Sequence, residues 1–347
     1  MEPVRREGTL ARCATGPRPG TTRVSRVRIL VTGSNGFVGG RLVAAARRRG
    51  WQVIGVGRQH SPTSPVDSYL RCDLAGGLTL EADVDAVVHC AALASPWAAP
   101  AAYRRANVDA TRQVLDWAAT HGRPHVHYVS SSSVFYTRHD QVGITEDSPI
   151  PAPADQINTY SRTKLHGERL VEGYPGRWSV LRPRAVFGPG DTVLLPRVVA
   201  AAKAGRLPLL VRREPAPVLA DLTHVDVVAH YLAEALERGV TGPVNLTNGE
   251  PVALYPFLFA LLDDLGLPRP TRRVPVAAAM AVARVSELVS AGLRGYAEPP
   301  ITTFGVSMFA HSKTFDIARC RDLLGEPALS LEEGRRSLVE WWNRHRA

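Results

Sequence analysis

Two side chains that could together move a proton, Tyr160 and Lys164, stand four residues apart. On a helix, residues four apart lie on the same face, so this spacing would place the phenol beside the ammonium. A free phenol has a pKa of about 10, and a neighbouring cation lowers that pKa by stabilising the phenolate. The pair is therefore suited to proton exchange at a carbonyl or a carbinol. Because tyrosine and lysine with this spacing also occur on solvated helix faces, the surrounding elements must decide between the two interpretations.

A glycine-rich turn near the start of the chain predicts a site for a dinucleotide. Residues 28–56 alternate as apolar strand, glycine-rich turn, helix and second apolar strand, which is the βαβ arrangement such a site requires. Gly33 permits the tight turn, and Gly36 lets a pyrophosphate approach the helix N-terminus, where free N–H groups favour anions. Gly39 lets the helix pack close to the strand. The alternative is an ordinary glycine-rich βα turn.

The glycine spacing, with two residues between successive glycines, resembles that of the extended short-chain dehydrogenases/reductases, and the resemblance covers roughly residues 27–345. Further segments match that family in the same order, namely 72–74, 88–92, 105–108, 128–134 and 181–191. Within the family the chain is most similar to the 3β-hydroxysteroid dehydrogenase-like group, which includes bacterial reductases of long-chain β-keto acids. This resemblance implies hydride transfer between a ketone and a secondary alcohol, on an apolar substrate that is steroid-like, a β-keto acid or polyketide-like.

The resemblance also implies roles for individual residues. Tyr160 would exchange the proton with the substrate oxygen, and Lys164 would lower the pKa of that phenol and bind the nicotinamide ribose. Ser131 would donate a hydrogen bond to the substrate oxygen, with Ser132 as the runner-up because four consecutive serines occur there. Asn107 would support the active site. The alternative for the serines is a polar strand end whose hydroxyls bond to the backbone.

Contacts with cofactor and substrate follow from the same resemblance. The expected cofactor contacts are Gly33, Asn35, Gly36, Phe37, Val38, Gly39, Arg58, Asp73, Leu74, Ala91, Ala92, Tyr160, Lys164, Pro183 and Val186. The suggested substrate contacts are Ser132, Arg184 and His224, and a structural role for His224 is equally open. The four cysteines show no spacing typical of a metal site, so we expect no metal.

The end of the second strand predicts NADP rather than NAD. NAD-selective members of the family carry a carboxylate there, which holds the ribose hydroxyls. Gly57 occupies that position and Arg58 follows it. No carboxylate would repel a 2′-phosphate, and a guanidinium could bind it bidentately. The alternative is that Arg58 is a solvated loop charge.

Alternating strand and helix patterns predict the α/β class, with a doubly wound parallel Rossmann sheet. We expect residues 27–186 to form the NAD(P)-binding domain, and residues 223–248 to return to it. Residues 187–222 and 249–347 should form a smaller, mostly helical substrate-binding lobe. Residues 1–26 are rich in arginine, proline and glycine and are typical of a disordered leader; the alternative is an artefact of start-site choice.

The charge balance does not indicate a nucleic-acid partner. The 347 residues carry a net charge of +10, but seven arginines and two glutamates lie in residues 1–28, and only three of the 42 basic residues are lysine. Cysteine usage and the lack of an apolar secretion segment favour the cytoplasm. The apolar helix predicted at 274–289 contains charged residues, so we expect no stable membrane insertion. The expected partners are a small-molecule substrate and, from the family resemblance, a second copy in a homodimer.

Two other functions stay open on the sequence alone. A nucleotide-sugar epimerase shares the fold and the proton-exchanging residues, but epimerases usually retain NAD and an acidic anchor, which Gly57 and Arg58 do not provide. A non-catalytic NADP-binding regulatory protein is the second alternative, although such proteins commonly lose the tyrosine or the lysine. Net consumption of NAD(P)H separates a reductase from an epimerase, and Tyr160→Phe separates an enzyme from a regulator.

Overall fold

The computed structural model describes residues 27–214 and 216–345, so the predicted leader at 1–26 lies outside the described residues. The strands are β1 (Arg28–Thr32), β2 (Gln52–Gly57), β3 (Ser68–Arg71), β4 (Ala86–His89), β5 (His125–Val129), β6 (Gln141–Ile144), β7 (Trp178–Pro183), β8 (Val186–Phe187), β9 (Leu209–Val211), β10 (Leu219–Ala220), β11 (Thr223–His224), β12 (Gly242–Leu246), β13 (Val252–Ala253), β14 (Arg273–Pro275) and β15 (Lys313–Phe315). The α-helices are α1 (Phe37–Arg48), α2 (Pro100–Arg104), α3 (Ala110–Thr120), α4 (Thr159–Glu172), α5 (Leu195–Lys203), α6 (Val225–Glu237), α7 (Leu254–Asp264), α8 (Val276–Leu293), α9 (Thr303–Ala310), α10 (Ala318–Leu324) and α11 (Leu331–His345).

Seven parallel strands form the central sheet, in the order β12-β7-β5-β4-β1-β2-β3. Strands in a parallel sheet are buried on both faces and therefore read as continuous apolar runs, as β1 does. The order of the strands reverses between β1 and β4, where β4 lies on the other side of β1 from β2. Open α/β sheets bind ligands in the crevice that such a reversal creates at the carboxyl ends of the strands. The expected Rossmann fold class is confirmed.

Helices cover both faces of this sheet. Successive residues of a strand point to opposite faces, and Ile29 and Leu30 accordingly belong to different core clusters. The cluster around Ile29 includes Leu232 of α6, which lies beside α1. The cluster around Leu30 includes Val114 and Trp117 of α3. The sheet is thus held between two helical layers, which is the doubly wound arrangement.

The carboxyl-terminal third of the chain does not lie wholly apart from the sheet. β12 extends the sheet by pairing with β7. Phe315, Ile317, Cys320 and Leu324 join the same core cluster as α1 and α6. Residues 315–324 therefore pack against the sheet domain, whereas the sequence assigned all of 249–347 to the second lobe. The difference arises because this packing depends on contacts between residues far apart in the chain.

The remaining elements combine helices with short strands. Three smaller sheets lie outside the central one among the described residues, with the orders β13-β10-β15-β6, β11-β8 and β14-β9. β6, at residues 141–144, comes from the first half of the chain but pairs with β15, so this sheet connects the two parts. α8 is the one helix among the described residues with the length and apolar composition to cross a membrane. In the structure α8 packs against α9 and β9, and 22% of it is buried.

Candidate active site

The glycine-rich turn between β1 and α1 has the form of an anion-binding site. Gly33 has a φ of 66°, and a Cβ at this position would lie 2.9 Å from the Cα of Ala91. Gly36 precedes α1 without a side-chain cap, and the first turn of α1 contains no acidic residue. The free N–H groups and the helix dipole are therefore available to a phosphate. A Cβ on Gly39 would overlap the carbonyl oxygen of Gly33, so the helix and the strand are in backbone contact.

Asn35 connects the loop after β2 to this turn through hydrogen bonds. The side-chain amide of Asn35 donates hydrogen bonds to the Gln59 side chain at 2.7 Å and to the Ser61 carbonyl oxygen at 2.9 Å. Its carbonyl oxygen accepts a hydrogen bond from the Thr63 N–H at 3.0 Å. Asn35, predicted as a cofactor contact, thus positions the loop that begins at Arg58.

A cavity of about 430 Å³ lies beside the ends of β2 and β3, lined by Arg58, Arg71, Cys72 and Asp73. The Arg71 guanidinium donates a hydrogen bond to the Arg58 carbonyl oxygen at 3.3 Å, which joins the end of β3 to the residue after β2. Asp73 forms an ion pair with Arg105 at 2.7 Å, and this hydrogen-bonded pair lowers the pKa of Asp73. The carboxylate that borders the cavity is therefore already paired, while Arg58 is exposed.

Lys164 is a buried residue of α4, one helical turn after Tyr160. The Lys164 side chain is 1% exposed, and its ammonium donates a hydrogen bond to the Val129 carbonyl oxygen at 2.6 Å. The same ammonium lies 4.2 Å from the centre of the Tyr128 ring. Burial lowers the pKa of Lys164 to about 7, and the carboxylate of Glu168 opposes this shift. The ammonium is thus bonded to the end of β5 rather than to the phenol.

The phenol of Tyr160 is half-buried and lies next to Ser131. Burial raises the pKa of Tyr160 to about 12, and a hydrogen bond with Ser131 offsets part of this increase. In this structure Lys164 bonds to the Val129 carbonyl oxygen and burial disfavours the phenolate, so the lowering of the Tyr160 pKa by Lys164 stays a prediction. A phenol is protonated at neutral pH with or without this increase, and the higher pKa makes it a weaker proton donor unless a cation stabilises the phenolate.

The two candidate serines occupy different surroundings. Ser131 caps a short helical turn, where its hydroxyl accepts a hydrogen bond from the Ser133 N–H at 3.2 Å. Ser132 is 2% exposed, and its hydroxyl lies 2.8 Å from the hydroxyl of Tyr136. The structure therefore places Ser131 beside Tyr160 and keeps Ser132 in contact with Tyr136.

A buried ion pair that we did not predict joins α4, the helix of Tyr160 and Lys164, to β7. Glu168 is one helical turn after Lys164 on α4, and its carboxylate binds the Arg182 guanidinium through two hydrogen bonds, at 3.0 and 2.8 Å. The Ser130 hydroxyl donates to the same carboxylate. The side chains of Glu168 and Arg182 are 1% and 4% exposed. The sequence signal for Glu168 was the continued spacing of four residues, whereas nothing local indicated its partner on β7.

Asn107 forms hydrogen bonds with two separate segments. It lies in a π-helical segment, Arg105–Asp109, a kind of helix that is frequent at functional sites. Its side-chain oxygen accepts a hydrogen bond from the Leu93 N–H at 2.7 Å, and its amide donates to the Thr163 hydroxyl at 3.0 Å. Asn107 therefore joins the segment after β4, which includes Ala91, to α4.

His224 is a structural residue in this fold. Its side chain is 0% exposed, and Nδ1 accepts a hydrogen bond from the Asp226 N–H at 3.3 Å at the start of α6. Nε2 lies 3.0 Å from the Ser337 hydroxyl of α11. Both ring nitrogens are thus engaged within the protein. The suggested substrate contact at His224 is not supported, and the structural alternative accounts for its position.

The remaining predicted residues follow the carboxyl ends of neighbouring strands. Asp73 and Leu74 follow β3, Ala91 and Ala92 follow β4, and Ser131 follows β5. Pro183 ends β7, and Val186 begins β8. Because the strands are parallel, these residues lie along the same edge of the sheet as the glycine-rich turn. The arrangement can bind a dinucleotide along that edge.

Residues 29–247 match the family described as the NAD dependent epimerase/dehydratase family. The chain belongs to this family. It is 33% identical to the 2-alkyl-3-oxoalkanoate reductase of Stenotrophomonas maltophilia, over 90% of this chain and 98% of that protein. It is also 35% identical to the 3beta-hydroxysteroid-dehydrogenase/decarboxylase isoform 2 of Arabidopsis thaliana, over 67% of this chain and 44% of that protein. The resemblance to extended short-chain dehydrogenases/reductases is confirmed, and the chain is an NAD(P)-dependent enzyme of that type.

The solved structure of MoeE5 in complex with UDP-glucose and NAD shares the fold. It superposes on this chain with a TM-score of 0.68 and 24% sequence identity, over 92% of this chain and 100% of that one. At that identity the likeness extends to the fold and not to the substrate. The glycine-rich turn fits the dinucleotide that this family uses, because α1 starts without a side-chain cap or an acidic residue and its first N–H groups are therefore open to a pyrophosphate.

Proposed function

We propose that this enzyme is an NADP-dependent oxidoreductase that interconverts a ketone and a secondary alcohol on an apolar substrate. The observation that carries the proposal is the position of Tyr160, a half-buried phenol beside the Ser131 hydroxyl at the edge of the sheet that also carries the glycine-rich turn. The printed name of the Stenotrophomonas maltophilia relative, a reductase of 2-alkyl-3-oxoalkanoates, supports reduction of a ketone.

In the reducing direction the carbonyl carbon gains a hydride and the carbonyl oxygen gains a proton. The nicotinamide supplies the hydride when it is bound. Tyr160 donates the proton, since its phenol is protonated at neutral pH; a cation brought beside it would offset the effect of burial, which raises its pKa to about 12. The Ser131 hydroxyl donates a hydrogen bond to the same substrate oxygen and stabilises its developing negative charge. In the oxidising direction Tyr160 accepts the proton instead.

Lys164 and the glycine-rich turn hold the cofactor in this proposal. Gly36 and the N–H groups at the start of α1 would bind the pyrophosphate. Lys164 would release the Val129 carbonyl oxygen and bind the nicotinamide ribose, which would bring its positive charge towards Tyr160 and lower the pKa of the phenol.

The cavity beside β2 and β3 supports the choice of NADP. Arg58 is exposed there next to Arg71, and the carboxylate of Asp73 is paired with Arg105. Two guanidiniums favour a 2′-phosphate, and the cavity has no unpaired carboxylate among its lining residues to repel it.

Measuring kcat/KM with NADPH and with NADH tests this cofactor choice. We expect a preference for NADPH of at least about tenfold in the wild type, which corresponds to about 1.4 kcal/mol. Arg58→Ala should remove most of that preference, while Arg48→Ala, an exposed arginine near the end of α1, should keep it. A tenfold preference of the wild type for NADH would refute NADP as the cofactor.

Epimerisation of a nucleotide sugar is the competing activity. An epimerase regenerates its cofactor in each cycle and therefore shows no net oxidation of NADPH. We expect net oxidation of NADPH, followed at 340 nm, with apolar ketones. Turnover of UDP-glucose with no net change in NADPH would instead favour the epimerase.

A further inference from the structure

The outward face of α8 is apolar, whereas the outward face of a surface helix is usually polar. Val282, Val285, Leu288, Val289 and Leu293 are 58%, 60%, 73%, 41% and 84% exposed, and these are five of the nine large apolar side chains that are exposed among the described residues. Their spacing of three or four residues places them on one side of the helix, and no charged or polar residue of α8 interrupts that side. We call these five residues the α8 face. A continuous exposed apolar surface is typical of an interaction site.

The opposite side of α8 is fixed to the rest of the protein. Ala283 is fully buried there. The Glu287 carboxylate accepts a hydrogen bond from the Thr303 N–H at 2.7 Å, and the Ser290 hydroxyl accepts one from the Trp97 indole N–H at 2.9 Å. A helix that crossed a bilayer would have to leave these polar partners and enter a region without water, which is costly. A partner of the α8 face therefore meets it from outside, while the helix stays packed on the protein.

Exposed arginines border the α8 face at both of its ends and along one side. Arg272 and Arg273 lie just before α8, Arg284 lies within it next to Val285, and Arg294 is the residue that follows it. Among the residues that the structure describes, no carboxylate forms an ion pair with any of these four guanidiniums. An arginine can lay its aliphatic part along an apolar surface while its guanidinium reaches a charge at the border. The α8 face is thus an apolar strip with a positive border.

The acidic residues in α8 and just after it do not neutralise this border. Glu287 is the one acidic residue of α8, and its carboxylate is bonded to Thr303. Glu298, four residues after Arg294, accepts two hydrogen bonds from the Arg197 guanidinium. Two copies that met through the α8 face as an antiparallel helix pair would therefore set the arginines of one end against the arginine of the other. A bilayer that contains anionic lipids instead offers an apolar interior beneath a negative surface, which fits both features.

We propose that the α8 face docks this enzyme reversibly on the surface of an anionic lipid bilayer. α8 lies in the plane of the interface in the docked enzyme, with Leu288 and its apolar neighbours against the acyl chains and the four arginines beside the lipid phosphates. The contacts between guanidiniums and phosphates are charge-assisted hydrogen bonds. Docking concerns where the enzyme works and not which reaction it performs, so this inference goes beyond the proposed function and does not depend on it.

Cosedimentation of the full-length protein with lipid vesicles tests the docking without any turnover. One set of vesicles contains phosphatidylcholine alone, and the other also contains about 30% phosphatidylglycerol, to which the wild type should bind at least about tenfold more tightly. Leu288→Glu and Leu293→Glu should each weaken that binding at least about tenfold, because a carboxylate would enter the apolar layer and oppose the lipid charge. Val142→Glu is the matched control, since it places the same charge at a valine of β6 that is 67% exposed, and it should keep most of the wild-type binding.

The positive border and the competing occupant each have their own measurement. Arg284→Gln should weaken binding to the anionic vesicles, whereas Arg48→Gln, at an exposed arginine of α1, should leave it unchanged. Sedimentation equilibrium without lipid reports self-association through the α8 face. If Leu288→Glu converts a lipid-free dimer into monomers, a second copy covers this face and the inference is overturned.

Two vesicle results also overturn the inference. One is a wild type that stays in solution with both kinds of vesicle, and the other is a Val142→Glu variant that loses as much binding as Leu288→Glu. The substituted side chains are exposed, so the circular dichroism spectra of the variants should match that of the wild type. If a glutamate variant does not fold, the lipid preference of the wild type and the binding of Arg284→Gln decide the outcome. An enzyme that oxidises NADPH but does not dock overturns this inference alone, and one that docks without oxidising NADPH overturns only the proposed function.

Discussion

At the residue scale, the protonation of Tyr160 depends first on burial. The phenol lies beside Ser131, and burial raises its pKa to about 12. The Lys164 ammonium donates a hydrogen bond to the Val129 carbonyl oxygen and does not bond to the phenol. Spacing along the helix could predict that Tyr160 and Lys164 share a face, but it could not predict that the ammonium turns towards a strand end.

Alanine substitution of the two serines discriminates between them. Ser131→Ala should lower kcat by about 10²-fold, because the substrate oxygen loses a hydrogen-bond donor in the transition state. Ser132→Ala is the matched control, since its hydroxyl faces Tyr136, and it should lower kcat far less. Steady-state kinetics with NADPH and a ketone checks both variants. A larger loss for Ser132→Ala would move the catalytic hydroxyl to Ser132.

At the scale of elements, the contact between β1 and α1 decides whether the dinucleotide site exists. A Cβ on Gly39 would overlap the Gly33 carbonyl oxygen and lie 2.9 Å from the Gly33 carbonyl carbon. Both atoms belong to the backbone and cannot rotate away, so the helix would have to shift from the strand. The shift would displace the N–H groups that are open to the pyrophosphate.

Two adjacent glycines of α1 test this packing. Gly39→Ala should abolish or strongly weaken NADPH binding, measured by cofactor fluorescence, and should lower the melting temperature. Gly40→Ala should do neither, because its Cβ would meet the Ser64 hydroxyl at 3.1 Å, on a side chain that can rotate, and the Ser34 carbonyl oxygen at 3.5 Å, an ordinary van der Waals distance. Alanine in place of a helical glycine also stabilises a helix by about 0.5–1 kcal/mol. Equal NADPH binding by Gly39→Ala and the wild type would contradict the close contact.

At the scale of the whole molecule, local patterns predicted the sheet and missed the long-range contacts. Apolar periodicity and glycine spacing are properties of neighbouring residues. They predict the strand at 28–32, the glycine-rich turn and the helix α4. The pairing of β6 with β15 joins residues about 170 apart, and no local pattern encodes it. The Arg182 partner of Glu168 could not be predicted for the same reason, since it depends on which segments the fold brings together.

The central claim is that Tyr160 transfers a proton to the substrate while the cofactor is consumed. The most direct test is the rate of NADPH oxidation with a ketone substrate for the wild type, Tyr160→Phe and Tyr103→Phe. Tyr103→Phe is the matched control, because that variant removes a hydroxyl bonded to the Ser95 carbonyl oxygen from a ring 6.3 Å away from Tyr160.

We expect Tyr160→Phe to lower kcat by at least about 10²-fold with NADPH affinity unchanged, and Tyr103→Phe to keep most of the wild-type rate. Tyr160→Phe with a kcat equal to that of the wild type would contradict the account.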